Sequence, residues 1–498
     1  MENTKKISVT GLILMIFTSI FGFANTTVAF DQMGYASILW YVVAAFLFFL
    51  PSGLMFAEYG ATFKDAKGGI YSWLEQSIGE KLAFIGTFIW LSSWIIWMVS
   101  TSSKVWIPFS TIFAGHDATQ TWHFLGFNAT QTVGLLGVLW ILVVTYCATR
   151  GITSIAKVSS LGGIFVSLLN VVLFVVSLAI LLLNHGRLAE PFSAASIIHS
   201  PNPAFVSPVA MISFIVYAVF AYGGMESMGG VTDSLRKPEK TFPRGIIIST
   251  IMIGIMYALS IFLWGISTNW HQTLSGHNVD LGNITYVMMN NLGVVFAQAL
   301  GWSPHMALLM GAWFARFAGL GMFMAYLGSF FVLIYSPLKS FILGSPKKLW
   351  PAKMTTLNKA GVPAFAMWCQ AVIVGLFILF ISFGGSDAQS FYTILTDMAN
   401  ISTTFPYLFL IGAFPFFKRR QDLNRPFVIY KTNFSVYTTT TLVLVVLTFG
   451  IVFTIIEPLL EHDLTTAFWT VIGPLFFGGI AWLFYDIRAK KYPHLNKN

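Results

Sequence analysis

Apolar runs of membrane length recur along the whole chain, and no other feature constrains its fold as tightly. Twelve fall near residues 8 to 31, 38 to 59, 82 to 112, 131 to 149, 157 to 184, 206 to 230, 245 to 267, 305 to 336, 363 to 383, 387 to 417, 434 to 457 and 466 to 486. Each can cross the roughly 30 Å of hydrocarbon that about 20 helical residues span. With 56% of the 498 residues hydrophobic and 9% charged, too little polar surface remains for a soluble multidomain protein. The longest connections, near 185 to 205, 268 to 304 and 337 to 362, are too short to build a separate domain. Main-chain N–H and C=O groups in hydrocarbon must be bonded within the chain, so the expected fold is an all-α membrane protein of twelve helices. The opening MENTKKISVTGLILMIFTSIFGF has the basic start and apolar core of a secretory signal, but eleven more apolar segments follow and it reads as the first span.

The net charge of +9 invites a nucleic-acid reading, which the distribution of the charges removes. Of the 28 Lys and Arg, 25 fall on one side, Arg187 on the other, and Lys104 and Arg316 within spans. This positive-inside asymmetry places both termini in the cytoplasm and expects membrane lipids, not nucleic acid, as partners. Cys147 and Cys369 lie inside apolar spans and read as small core residues. No span holds a central histidine, a Cys-His set or a paired-carboxylate motif, and GGMESMGG lacks the form of a phosphate cradle. The chain is therefore expected to be no enzyme and to carry no metal or cofactor.

Two stretches do not suit an uninterrupted lipid-facing helix. FTSIFGFANTT (17 to 27) puts Thr18, Ser19, Gly22 and Asn25 midway through the first span, and FAYGGMES (220 to 227) puts a glycine pair and Glu226 midway through the sixth. Breaks at membrane depth are tolerated only where protein or a water-filled cavity covers the freed groups. Spans one and six correspond if the first ten spans form two inverted repeats of five, the pattern that points to a transporter site. The boundaries are then 1–184 for the first repeat, 185–417 for the second, and 418–498 for two further spans and a tail. A half-helix starting after Gly22 aims free N–H groups at an anion, and one ending near Phe220 and Ala221 offers carbonyls to a cation. Together they suit the two ends of an amino acid.

Four motifs carry a resemblance: AKGGIYSWLEQSIGEKLAFIGTFIWL (66 to 91), FAYGGMESMGGVTDSLRKPEKTFPRGI (220 to 246), SPLKSFILGSPKKLWPAKMTTLNKAGVP (336 to 363) and FKRRQDLNRPFVIYKT (417 to 432). In order and topology they resemble the amino acid, polyamine and organocation transporter superfamily, within it the glutamate:GABA antiporter branch. The resemblance implies a five-plus-five inverted-repeat fold with helices 1 and 6 broken, alternating access, and a site between helices one, three, six, eight and ten. By motif it implies a carboxylate-binding turn at Gly22, Phe23 and Ala24, flanked by Ser19, Ile20 and Phe21. It implies ammonium-binding carbonyls at Phe220, Ala221 and Gly223 beside Gly224, an aromatic lid at Phe220, a contact from Phe330, and gating or proton coupling at Glu226. Two features depart from the pattern: the usual glycine-x-glycine is Gly22-Phe23-Ala24, and the mid-helix lysine of span five is missing, with only Lys157 at its cytoplasmic end.

Charge at bilayer depth costs about 2.5–3.5 kcal/mol on insertion scales, so it needs a reason. Lys104 has two readings, contact with an acidic substrate or coupling site, and snorkelling to the headgroups. Arg316 has no acid at helical spacing and needs a remote partner. Asp397, in the outer half of span ten, is expected to pair with Arg316 or Lys104 as an outer gate or as a static pair. Glu58 joins the gating set, with a structural reading beside it, holding the loop that follows. Eight of nine histidines fall on the outer side, which suggests a response to external acidity. The function expected is amino-acid antiport of glutamate and GABA type. The alternatives are proton symport of another amino acid, protons then being a partner, and a channel. The oligomeric state expected is monomer or homodimer.

Overall fold

The computed structural model describes residues 6–275, 279, 282–460, 462 and 464–491. Along helical residues 386–402, 457, 465, 466, 469, 470 and 489–491 it describes the backbone alone. Helix is the regular structure, and no strand forms among the described residues. Eleven spans are long and apolar enough to cross a bilayer: Val9–Met33, Ala36–Thr62, Glu80–Ala114, Ala129–Ala148, Ile152–Leu183, Pro208–Ser234, Pro238–Ser267, Pro304–Ile342, Ala364–Phe383, Asn433–Leu460 and Val471–Arg488. A further helix of 35 residues, Gly385–Arg419, stands where the sequence puts the tenth span. Ordinal numbers below count it as tenth, Asn433–Leu460 as eleventh and Val471–Arg488 as twelfth.

The spans begin where the sequence supplies caps. Ser8, Asn128, Ser207 and Ser303 each accept a hydrogen bond from a first-turn N–H, Asn128 in a reciprocal pair with Gln131, and Pro208 and Pro304 pre-set the first helical turn. Small residues then let backbones meet. A methyl on Gly163 would lie 2.3 Å from the Leu14 carbonyl oxygen, and one on Gly328 would lie 2.4 Å from the Thr18 methyl, so the first, fifth and eighth spans close at these glycines. Large apolar side chains such as Phe46, Leu182, Trp313 and Leu483 point outward, where lipid rather than water would meet them. Cys147 and Cys369 are both free.

Two features of the connections were not visible in the residues. The link between the seventh and eighth spans contains a mostly buried helix, Ile284–Ala299, which packs on the fifth and eighth spans and pairs Thr285 with Thr27 at 2.9 Å. Glu58 holds a remote loop rather than the one that follows its own span. Its Oε1 accepts the Ile429 and Tyr430 N–H groups at 2.6 and 2.8 Å, and its Oε2 accepts Lys418 Nζ at 2.7 Å, all at a fully buried site. The carboxylate thus fastens both the end of the tenth helix and the segment after it to the second span.

Removing one member of a buried ion pair strands the other, at about 3–5 kcal/mol. Lys418→Ala is expected to lower the unfolding midpoint in detergent accordingly, and an unchanged midpoint would mean that the pair carries no such load. Glu75, on the helix Ile70–Ile78 outside the spans, has its carboxyl pushed from 4.5 up to about 7, first by burial and then by Glu80. The neutral form is the one the fold prefers, so its stabilising effect is present below pH 4.5 and lost as pH rises through about 7. Glu75→Gln should therefore flatten the fall in thermal stability across that interval.

Candidate functional site

The first span is two helices, Val9–Ile20 and Phe23–Met33, separated by Phe21 and Gly22 in extended backbone, ψ 98° and 102°. The sixth is a helix, Pro208–Ala221, that gives way through Tyr222 and Gly223 to Gly224 at φ 111°, a conformation open to glycine, and continues as a 3₁₀ segment, Met225–Ser234. The two breaks face one another: a methyl on Gly224 would lie 3.5 Å from the Ser19 carbonyl oxygen and 3.7 Å from Ile20 Cγ1.

One hydroxyl joins them. Tyr257 Oη, from the seventh span, accepts the Gly22 N–H at 3.0 Å and Asn25 Nδ2 at 3.3 Å. It lies 3.2 Å from the Ile20 carbonyl oxygen and 3.1 Å from that of Ala221, and its single proton serves one of these at a time. The ring is buried against Phe21, Tyr41 and Tyr222. Nearby polar groups stay unused. Ser19 Oγ and Trp94 Nε1 are buried with no hydrogen-bond partner among the described residues, and the Trp94 ring is 3.6 Å from the methyl position of Gly224. A buried donor without an acceptor costs about 1–3 kcal/mol, so such groups mark where a polar ligand would be received.

Glu226 lies two residues beyond Gly224 and is fully buried. Its Oε1 accepts Trp90 Nε1 at 2.9 Å, and its Oε2 accepts the Gly224 N–H at 3.1 Å and the Tyr407 hydroxyl. Tyr407 Oη in turn accepts the Gly224 N–H at 2.8 Å, so its proton is directed to Glu226. The carboxyl thereby ties the third, sixth and tenth helices by hydrogen bonds, and no Lys or Arg pairs with it among the described residues. Below it Lys339 Nζ donates to the Gly230 carbonyl at 2.9 Å and Asp233 Oδ1 at 2.6 Å, and Ser336 donates to the Ser227 carbonyl. The eighth span thus stitches the whole 3₁₀ segment.

The other expected residues divide. Phe23 and Phe330 are fully buried, Ala24, Phe220 and Gly223 half-buried. Phe330 packs tilted on Trp97 and edge-on against Trp140, at ring distances of 5.2 and 5.7 Å. Lys104 ends the helix that carries Trp90 and Trp94, ten residues beyond Trp94. That is about 15 Å at 1.5 Å per residue, which sets it apart from the breaks. Arg316 has main-chain partners. It donates to Phe113 and Ala114 carbonyls at 3.3 Å, the negative end of the helix Trp106–Ala114, and to Ala312 at 3.2 Å. The Asp397 side chain lies outside the described residues. Reading the residues missed Tyr257, Tyr407, Trp90, Trp94, Lys339 and Asp233.

Comparison with known proteins places these observations. The amino acid permease family profile matches residues 7–480. The inner membrane transporter YjeM of Salmonella typhimurium LT2 is 55% identical over 97% of each chain. More distant relatives are the aspartate/glutamate permease AcaP of Lactococcus lactis subsp. cremoris, 22% identical over 83% of this chain and 80% of its own. The glutamate/gamma-aminobutyrate antiporter of Lactococcus lactis subsp. lactis is 23% identical over 85% and 78%.

Tyr257→Phe keeps the ring but leaves the Gly22 N–H and two carbonyls without their common partner. The expected cost is about 1–3 kcal/mol, read as a lower denaturation midpoint in detergent. A midpoint equal to the parent would mean that the hydroxyl does not hold the breaks.

Proposed function

The chain belongs to the amino acid permease family, and from that premise we propose that it is a secondary transporter of the cytoplasmic (inner) membrane that exchanges acidic amino acids and their relatives, of glutamate and GABA type, by alternating access. The proposal includes twelve spans in two inverted repeats of five followed by two more, with both termini cytoplasmic. Lysines and arginines concentrated on one side support that orientation. The names of the distant relatives support the substrate class.

The observation that carries the reading is the pair of facing breaks, with Trp94 Nε1 and Ser19 Oγ on residues beside them unpartnered among the described residues. A zwitterion would set its carboxylate against the helix start at Phe23, displacing the Tyr257 hydroxyl from the Gly22 N–H. Its ammonium would take the Ile20 and Ala221 carbonyls that Tyr257 shares now. Exchange of one set of hydrogen bonds for another keeps the cost of entry low, since the freed main-chain groups are never left bare in hydrocarbon.

Glu226 is assigned to gating. It holds Trp90 and Tyr407 across the cytoplasmic side of the breaks, so access from that side requires these bonds to part. Its lack of a cationic partner among the described residues suits a carboxyl that gains and loses a proton during the cycle.

Counterflow into proteoliposomes loaded with unlabelled aspartate, glutamate, GABA, agmatine or leucine tests both parts. Labelled glutamate is expected to accumulate transiently against glutamate, aspartate or GABA inside and not against agmatine or leucine. Glu226→Gln should reduce exchange at least tenfold, the effect of about 1.4 kcal/mol, while leaving glutamate binding measurable. Uptake that is linear, unsaturable and indifferent to the internal solute would overturn the transporter reading.

A further inference from the structure

A cavity of about 250 Å³ opens at the outer ends of the third, fourth and ninth spans, and Lys104 is its one charged lining residue among those described. Ser103, Thr130 and Ser382 bring hydroxyls to it, none of them hydrogen-bonded elsewhere among the described residues. Two glycines of the fourth span let it close on the residues that carry two of these hydroxyls: a methyl on Gly134 would fall 2.0 Å from Ser382 Oγ, and one on Gly137 3.2 Å from Ser103 Oγ. The apolar part of the wall comes from Val99, Ile107, Val133 and Ile378, and Ser100, Thr119 and Gln120 add further polar lining.

Lys104 makes no ion pair among the described residues. Asp117, beside the lining residue Thr119, is engaged: its Oδ1 accepts the Thr119 N–H at 2.9 Å, the Thr119 hydroxyl at 2.8 Å and Ser110 at 3.4 Å. An ammonium, three free hydroxyls and an apolar stretch of wall thus meet in one recess with no acid lining it among the described residues.

We propose that this cavity binds an anionic oxygen group, a carboxylate or phosphate, on the Lys104 ammonium and the neighbouring hydroxyls, with an aliphatic portion against the wall. Lys104 is exposed at the end of its helix, so its ammonium reaches the mouth of the recess. A charge-assisted bond from lysine to an anion is the strongest contact this lining offers, and hydroxyls add donors without adding charge. One source of such a group is an anionic phospholipid, whose headgroup and acyl chains divide as the lining does. The other is a free carboxylate solute from outside, the transported amino acid included. The site is separate from the breaks, and its test reads binding, so the outcome does not depend on whether the central site transports what is proposed for it.

The full chain is placed in nanodiscs of phosphatidylethanolamine with phosphatidylglycerol, and native mass spectrometry compares the parent with Lys104→Gln and Lys104→Arg. For a lipid ligand, the parent and Lys104→Arg retain phosphatidylglycerol that Lys104→Gln releases. For a solute ligand, no lipid is selected, and equilibrium dialysis of detergent-purified protein finds more glutamate bound per chain to the parent and Lys104→Arg than to Lys104→Gln. Equal lipid retention and equal glutamate binding in all three proteins would overturn the site. If Lys104→Gln does not elute as a monodisperse species, Ser382→Ala, which keeps the charge and removes one donor, is read in its place, with weaker retention expected and unchanged retention overturning the proposal.

Discussion

Every helix break in this molecule has to answer one constraint: a main-chain N–H or C=O in hydrocarbon without a partner costs several kcal/mol. The first and sixth spans each surrender a turn of helical bonding, and the Tyr257 hydroxyl recovers much of the loss for both at once. It serves Gly22, Ile20 and Ala221 from one atom, so the two breaks are not independent. Moving one without the other would strand groups on both sides, which makes them a single mechanical element. The same atom occupies the donors and acceptors that a zwitterion would need, so holding the breaks and binding there compete.

Buried charge is handled by the same means. Glu58 takes two loop N–H groups and Lys418, Lys339 takes a carbonyl and Asp233, and Arg316 takes the end carbonyls of a helix. In each case an ionic side chain completes irregular backbone, which regular helices do not need. Glu226 departs from this pattern. Its donors are neutral and come from three helices, so its charge is stabilised by dipoles that separate if the helices do.

The fold and the breaks were legible because they are written in composition. Apolar runs of span length have no soluble explanation, and Gly22, Asn25, Gly223, Gly224 and Glu226 stand out against hydrocarbon-compatible neighbours. The partners were not. Tyr257, Tyr407, Trp90 and Trp94 belong to residue types that make up 16% of the chain together with Phe, and nothing in their local sequence separates a hydroxyl that bridges two breaks from one that packs. Lys339 was counted among the cytoplasmic charges because it follows the apolar run of the eighth span. The helix continues to Ile342, however, and carries the lysine into a buried pair with Asp233. Glu58 misled in another way, since its anchored segment is more than 350 residues away, a separation that local pattern cannot encode.

The 3₁₀ segment Met225–Ser234 decides which part of the site is cheapest to move. Its i→i+3 bonds have poorer geometry than those of an α-helix, and it is held largely from outside: by Tyr407 at its start, by Ser336 at Ser227, by Lys339 at Gly230 and Asp233, and by Ile7, whose N–H donates to the Ser234 carbonyl at 3.0 Å. A segment whose order is borrowed from its neighbours loses it when they withdraw, whereas an α-helix would keep its own bonds. On the proposed cycle, opening toward the cytoplasm then requires the eighth and tenth helices to release four contacts rather than to melt a helix. Glu226 stands at the first of them, next to the substrate groups, so a change in its protonation or in the occupancy of the breaks acts where the release begins.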